Sequence, residues 1–213
     1  MKSLLLTCLL SVLSCLSLAQ DNQVDDYLNN SKYSINTTIS PVNFPLPLAF
    51  GISAYYKVDN NWSVGVDYLR SNLKIAFFGF DIGESTQSSY TLQVKRYYGQ
   101  SFNVKMGLGT RNTQVLFGKS LIDLASANYQ ETAAEFNAKY IRIGLGNVWH
   151  FKKQFTAEVD WLTIDIPVNA QVVTSAAQYA QSEDGAQTIK SAESIIKYFP
   201  SGSILKINLG IVF

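Results

Sequence analysis

Cysteine is almost missing from this chain: the two present, Cys8 and Cys15, lie within its first 15 residues. Met1-Lys2-Ser3 sets one positive charge before the apolar run Leu4 to Leu13, and Ser17-Leu18-Ala19 follows as a small-residue site. That order is a secretory signal peptide, expected over residues 1–19 with cleavage after Ala19. The run is too short for a membrane anchor, which needs roughly 20 apolar residues. A lipoprotein-type box at Val12-Leu13-Ser14-Cys15 fits less well, because Leu13 is a poor match at its position. The expected mature chain therefore has no thiol, which excludes a disulfide framework and thiolate chemistry.

A surplus of either charge is absent too. Removing residues 1–19 takes away Lys2 and leaves 16 Lys and Arg against 16 Asp and Glu. A nucleic-acid partner is excluded, since its footprint is a basic surplus. Histidine occurs once, at His150, so no soft-ligand cluster for zinc can form and no metal or other cofactor is expected. Adjacent carboxylates at Asp25-Asp26 and Glu183-Asp184 read as solvated loop charge. The expected mature chain of about 194 residues suits one domain. Beyond the signal there is no apolar run long enough for a transmembrane helix. The spanning architecture that remains is a closed β-barrel, because lipid tolerates no unpaired sheet edge.

What the chain does have is alternation. After a polar lead-in at residues 20–31, the barrel is expected over residues 32–213. Tyr33 to Ile39 alternates apolar or Thr with polar residues, the period-2 pattern of a strand between two environments. The pattern recurs seven times: Leu48 to Val58, Trp62 to Tyr68, Ser89 to Tyr98, Phe102 to Arg111, Tyr140 to Phe151, Phe155 to Trp161 and Leu205 to Phe213. Asn147 interrupts the apolar face of the sixth segment, where a bulge is expected.

Connection lengths give the topology. About three residues join segments two and three, four and five, and six and seven, whereas residues 40–47, 71–88, 112–139 and 167–202 form longer links. Short turns alternating with long loops predict an all-β fold, an eight-stranded antiparallel up-and-down transmembrane barrel with both termini on the periplasmic side. Ile189, Ala192, Ile195, Ile196 and Phe199 recur at helical spacing and predict a short helix in the last long extracellular loop.

Nine charges, Lys57, Asp67, Lys95, Lys105, Arg111, Arg142, Glu158, Asp160 and Lys206, fall on the polar face and are assigned to the lumen. Facing lipid instead, each Lys or Arg would cost about 2–4 kcal/mol at the midplane. Eight strands leave an interior just wide enough for side chains to fill, so mixed charges should pair and plug it. Asp160 and Lys206 are expected to pair, and a carboxylate, Glu158 or Asp67, should separate Lys95 from Lys105. Gly107, Gly109, Gly144 and Gly146 read as space inside a narrow barrel. His150, beside the turn Lys152-Lys153-Gln154, shows no nucleophile or orienting partner, and no catalytic site is assigned.

Leu205, Ile207, Leu209, Ile211 and Phe213 place apolar residues at every second position of a chain ending in Phe. This resembles the terminal insertion signal of bacterial outer-membrane barrels. Phe50 to Val64, an aromatic strand, an Asp-Asn-Asn turn and Trp62-Ser63, resembles hairpins of the small OmpA-, OmpX- and OmpW-type barrels. The resemblance implies residence in a Gram-negative outer membrane, among lipid and lipopolysaccharide, after insertion by the barrel-assembly machinery. A monomer is expected, and the plugged lumen points to a structural or surface-contact role. A narrow passive channel is the alternative, and a lipid-modifying enzyme a more distant one. Unlike OmpA-type proteins, the chain shows no peptidoglycan-binding segment after the last strand, so anchoring to the cell wall is not expected.

Overall fold

The computed structural model describes residues 31–77, 80–99, 101–117, 133–151, 154–175, 183–184, 186–187, 190–191, 194 and 198–213. The expected signal peptide, and all of the lead-in but Ser31, lie outside the described residues.

The strands are β1 (Tyr33–Ser40), β2 (Val42–Phe44), β3 (Ala49–Lys57), β4 (Trp62–Phe77), β5 (Phe80–Tyr98), β6 (Phe102–Phe117), β7 (Ala133–Phe151), β8 (Phe155–Thr174) and β9 (Ser201–Val212). All pairings are antiparallel, in the order β1-β3-β4-β5-β6-β7-β8-β9-β2, and β1 also pairs with β9, so the sheet closes into a ring. β2 prolongs β1 past Pro41, where the ladder breaks because proline has no N–H to donate. Counting β1 and β2 as one stave, the barrel has the expected eight.

Local chemistry sets the short turns. Asp59 Oδ1 accepts the N–H groups of Asn61 and Trp62 at 2.7 and 2.9 Å, an Asx turn between β3 and β4. Gly99, at φ 64°, supplies the left-handed residue between β5 and β6. Tyr33 and Phe213 exchange backbone hydrogen bonds of 2.9 Å, which ties the two ends of the barrel segment together beside these turns.

At the opposite end the structure corrects two expectations. Residues 71–88 and 112–139, and the start of 167–202, are not simply links, because β4 runs on to Phe77, pairs it with Phe80 and returns as β5, and β8 runs on to Thr174. β6 likewise reaches Phe117, and β7 starts at Ala133. Strands of 16, 19, 16, 19 and 20 residues exceed the roughly 9–11 that cross a bilayer. The physical reason lies in the outward rows. Leu92, Leu108, Ile141 and Ile166 stand side by side, and two rows further Ser88, Asn112, Asn137 and Gln171 do so. Apolar alternation stops where lipid stops, while the hydrogen-bonded ladder continues into water. β3 begins only at Ala49 and β9 only at Ser201, so the extension belongs to β4 through β8.

The bulge expected near Asn147 sits on the facing strand. Leu145 faces Leu162 and Gly146 faces Asp160, which makes Trp161 the extra residue; its indole N–H donates to Asn147 Oδ1 at 2.8 Å. Val168 and Val173 are extra residues of the same kind. Across from Trp161, Leu205 adopts φ 63°, so β8 and β9 bend together and both change face there. In the last loop, the described residues Glu183, Asp184, Ala186, Gln187, Lys190, Ser191 and Ser194 are helical, and Ser191 Oγ donates to the Gln187 carbonyl at 2.9 Å. Ile189, Ala192, Ile195 and Ile196 lie outside the described residues. The loop returns to the wall at Phe199, whose ring lies 5.2 Å from that of Phe44 and whose carbonyl accepts Arg111 Nη2 at 3.1 Å.

Candidate functional site

Burial is inverted across the wall. Leu108 is 65% and Ile52 59% exposed, whereas Lys105 is 1% and Asp160 0% exposed. The outward apolar side chains belong to every stave, from Ile35 and Ile39 through Leu92, Ile143 and Ile164 to Leu209 and Ile211. Such a wall is stable only against hydrocarbon.

Inside, the buried charges are joined. Lys95 and Lys105 face each other on β5 and β6, and Glu158 from β8 bridges them: Lys95 Nζ donates at 2.7 and 2.9 Å, and Lys105 Nζ lies at 2.9 Å. Lys105 also binds Asp160. Asp160 faces Lys206 across the β8–β9 ladder, but their charged atoms are 4.0 Å apart. Lys206 reaches instead across the lumen to Asp67 on β4, at 2.8 and 3.0 Å. The expected Asp160–Lys206 contact is thus the long member of a set. The reason is competition: Asp160 is already bound by Lys105 from β6, which leaves Lys206 to Asp67. Asp67 further accepts Arg142 Nη1 at 2.7 Å, and Arg142 binds Asp165 through Nε and Nη2 at 2.6 and 2.8 Å. Four cations and four carboxylates form one connected array from Lys95 to Asp165.

Two assigned lumen charges lie apart from it. Arg111 is buried beneath Phe199 at the open end, and Lys57 is half-buried at the short-turn end of β3. Asp165 was not assigned from sequence. Strict alternation from Asp160 sends residue 165 outward; the extra residue Trp161 turns it in.

Aromatic rings and glycines fill what the charges leave. The inward Tyr140, 1% exposed, lies over Gly109, where an added Cβ would stand 2.6 Å from the Tyr90 carbonyl oxygen and closer still to the Tyr140 ring. Its hydroxyl meets Thr91 Oγ1 at 2.6 Å. Tyr55 covers Gly65 in the same way, with Lys95 Nζ 3.4 Å above its ring. Near Arg142 and Asp165 the interior keeps a space of about 10 Å³, close to the volume of one water-sized probe.

Rings also mark the wall's limits. Tyr33 lies 5.3 Å from Tyr56 and 5.9 Å from Phe213, and Arg96 sits 5.2 Å from Trp62 and 5.0 Å from Tyr98, all at the short-turn end. Tyr68 and Tyr90 pair at 4.8 Å where the apolar rows end. In the terminal segment Leu209, Ile211 and Phe213 are exposed outward and Ile207 is half-exposed, while Leu205 occupies the bend. His150 is opposite Thr156 at the short-turn end. Among the described residues, no three His, Cys, Asp or Glu side chains come together as a metal site.

The closed ring, lipid-facing exterior and charged interior define a small transmembrane β-barrel of the outer-membrane type. No protein-family model and no curated protein matches the chain. Solved structures do. The N-terminal β-barrel domain of Pseudomonas aeruginosa OprF is 11% identical over 86% of this chain and 98% of that one, with a TM-score of 0.47. Ail, the attachment invasion locus protein of Yersinia pestis, is 13% identical over 86% and 97%, with a TM-score of 0.49. Neisserial surface protein A is 11% identical over 85% and 95%, with a TM-score of 0.43.

Proposed function

We propose that the protein is an exported outer-membrane barrel whose role is structural and surface-directed, with its lumen held shut and no catalysis. The observation that carries this reading is the ion-pair array, which spans the lumen from β4 to β8 and β9. A solute crossing the barrel would have to part paired charges that are 0–6% exposed. The charged interior also disfavours an apolar-ligand conduit. Contact with other molecules then falls to the outer wall and the open-end loops. On this reading the barrel-assembly machinery reads Ile207, Leu209, Ile211 and Phe213, and the barrel works as a monomer among lipid and lipopolysaccharide.

Cell fractionation with heat-modifiable migration in detergent gels, followed by planar-bilayer recording, tests the proposal. The expected result is a heat-modifiable outer-membrane protein without steady conductance. A steady open conductance from the unmodified protein would overturn the closed lumen. A changed lipid A mass spectrum in cells expressing it would overturn the exclusion of catalysis.

A further inference from the structure

Two outward rows cross the wall just beyond its apolar part. One carries Tyr68, Tyr90, Thr110, Lys139 and Asn169; the next carries Arg70, Ser88, Asn112, Asn137 and Gln171. Between them, on the outside of β5 to β8, lies a cavity of about 290 Å³. Its outward lining is amides (Asn112, Asn137, Asn169, Gln171), hydroxyls (Ser88, Thr110), Lys139 and Tyr90. Asn112 Nδ2 donates to Asn137 Oδ1 at 3.0 Å and also binds Glu135, which holds one side of the cavity in place. Lys139, Asn169 and Gln171 are exposed. Immediately below stands the lipid-facing row Leu92, Leu108, Ile141 and Ile166.

We infer that this cavity binds the saccharide headgroup of a glycolipid seated in the outer leaflet. The inference rests on the membrane reading above. Amides and hydroxyls side by side offer alternating donors and acceptors that match sugar hydroxyls, and Tyr90 adds an aromatic ring beside them. The depth selects the source: a sugar in the cavity places its attached acyl chains against the aliphatic row beneath it. Arg70 and Lys139, on β4 and β7, are three strands or about 14 Å apart at the usual spacing, a separation that suits acidic groups carried at the two ends of such a headgroup.

The test uses the purified full barrel in phosphatidylcholine nanodiscs, titrated with intact rough lipopolysaccharide and, separately, with the soluble core oligosaccharide released from it. Three proteins are compared: the unmodified chain, an Asn169→Ala, Gln171→Ala variant, and Gln114→Ala, an exposed position outside the cavity. Heat-modifiable migration shows in each case that the barrel is intact, and so separates failure of this inference from failure of the membrane reading. Saturable binding of lipopolysaccharide is expected, weakened about tenfold in the double variant and unchanged in Gln114→Ala. Equal affinity in all three proteins would overturn the site. Equal affinity of the unmodified protein for oligosaccharide and lipopolysaccharide would overturn the lipid-anchored source in favour of a soluble saccharide.

Discussion

Replacing Glu158 by Gln is the sharpest perturbation of the lumen. The change keeps size and hydrogen-bonding capacity but removes the one carboxylate that holds Lys95 and Lys105 together, both within 3.0 Å of it. Lys105 retains Asp160, whereas Lys95 is left with the ring of Tyr55. A buried charge deprived of its partner costs about 3–5 kcal/mol. A cation over an aromatic face returns about 1–2 kcal/mol of that in a desolvated site. The expected net loss is therefore about 1–4 kcal/mol. Adding Lys95→Met restores equal numbers of positive and negative groups and leaves the Lys105–Asp160 pair intact. The double variant should recover at least half of the loss. The assay is reversible urea unfolding in lipid vesicles, followed by tryptophan fluorescence, with Lys95→Met alone closing the cycle. If the two changes add to within about 0.5 kcal/mol, the pair is not coupled and the account of a mutually neutralised lumen is wrong.

In matching double-mutant cycles, Lys206 should couple more strongly to Asp67, at 2.8 Å, than to Asp160, at 4.0 Å; the reverse order in urea midpoints would contradict the cross-lumen pairing. Gly109→Ala should destabilise the barrel by about 1–3 kcal/mol, because the new Cβ meets the Tyr140 ring and a backbone carbonyl, and partial relief by Tyr140→Phe or Leu would confirm where the crowding lies. Deleting Phe213 should lower the amount of heat-modifiable barrel in the outer membrane, since its carbonyl and N–H close the backbone bonds to Tyr33; unchanged levels would count against the insertion-signal reading.

The fold was legible wherever a strand separates lipid from lumen, because only there does period 2 appear in composition. Leu92-Gln93-Val94-Lys95 announces itself; Ser85-Thr86-Gln87-Ser88, on the same strand, is polar on both faces and reads as a loop although it is paired on both sides. The inward set was legible for the same reason, up to the first bulge. Asp165 went unread because counting by twos cannot see the extra residue at Trp161, and nothing in a single sequence marks that residue. Glu158 between Lys95 and Lys105 could be reasoned from like charges on one hairpin. Asp67 with Lys206 could not, since a contact across the lumen depends on diameter and stagger and not on neighbouring register.

The same array draws on the whole ring. Its members on β4 to β6, namely Asp67, Lys95 and Lys105, carry one net positive charge; those on β7 to β9, namely Arg142, Glu158, Asp160, Asp165 and Lys206, carry one net negative charge. Arg142 meets Asp165 within the β7–β8 pair, but each portion taken alone keeps one charge that only the other portion balances. Neutrality of the lumen is therefore a property of the complete ring and not of any one hairpin in it, so the array is fully compensated only in the closed barrel.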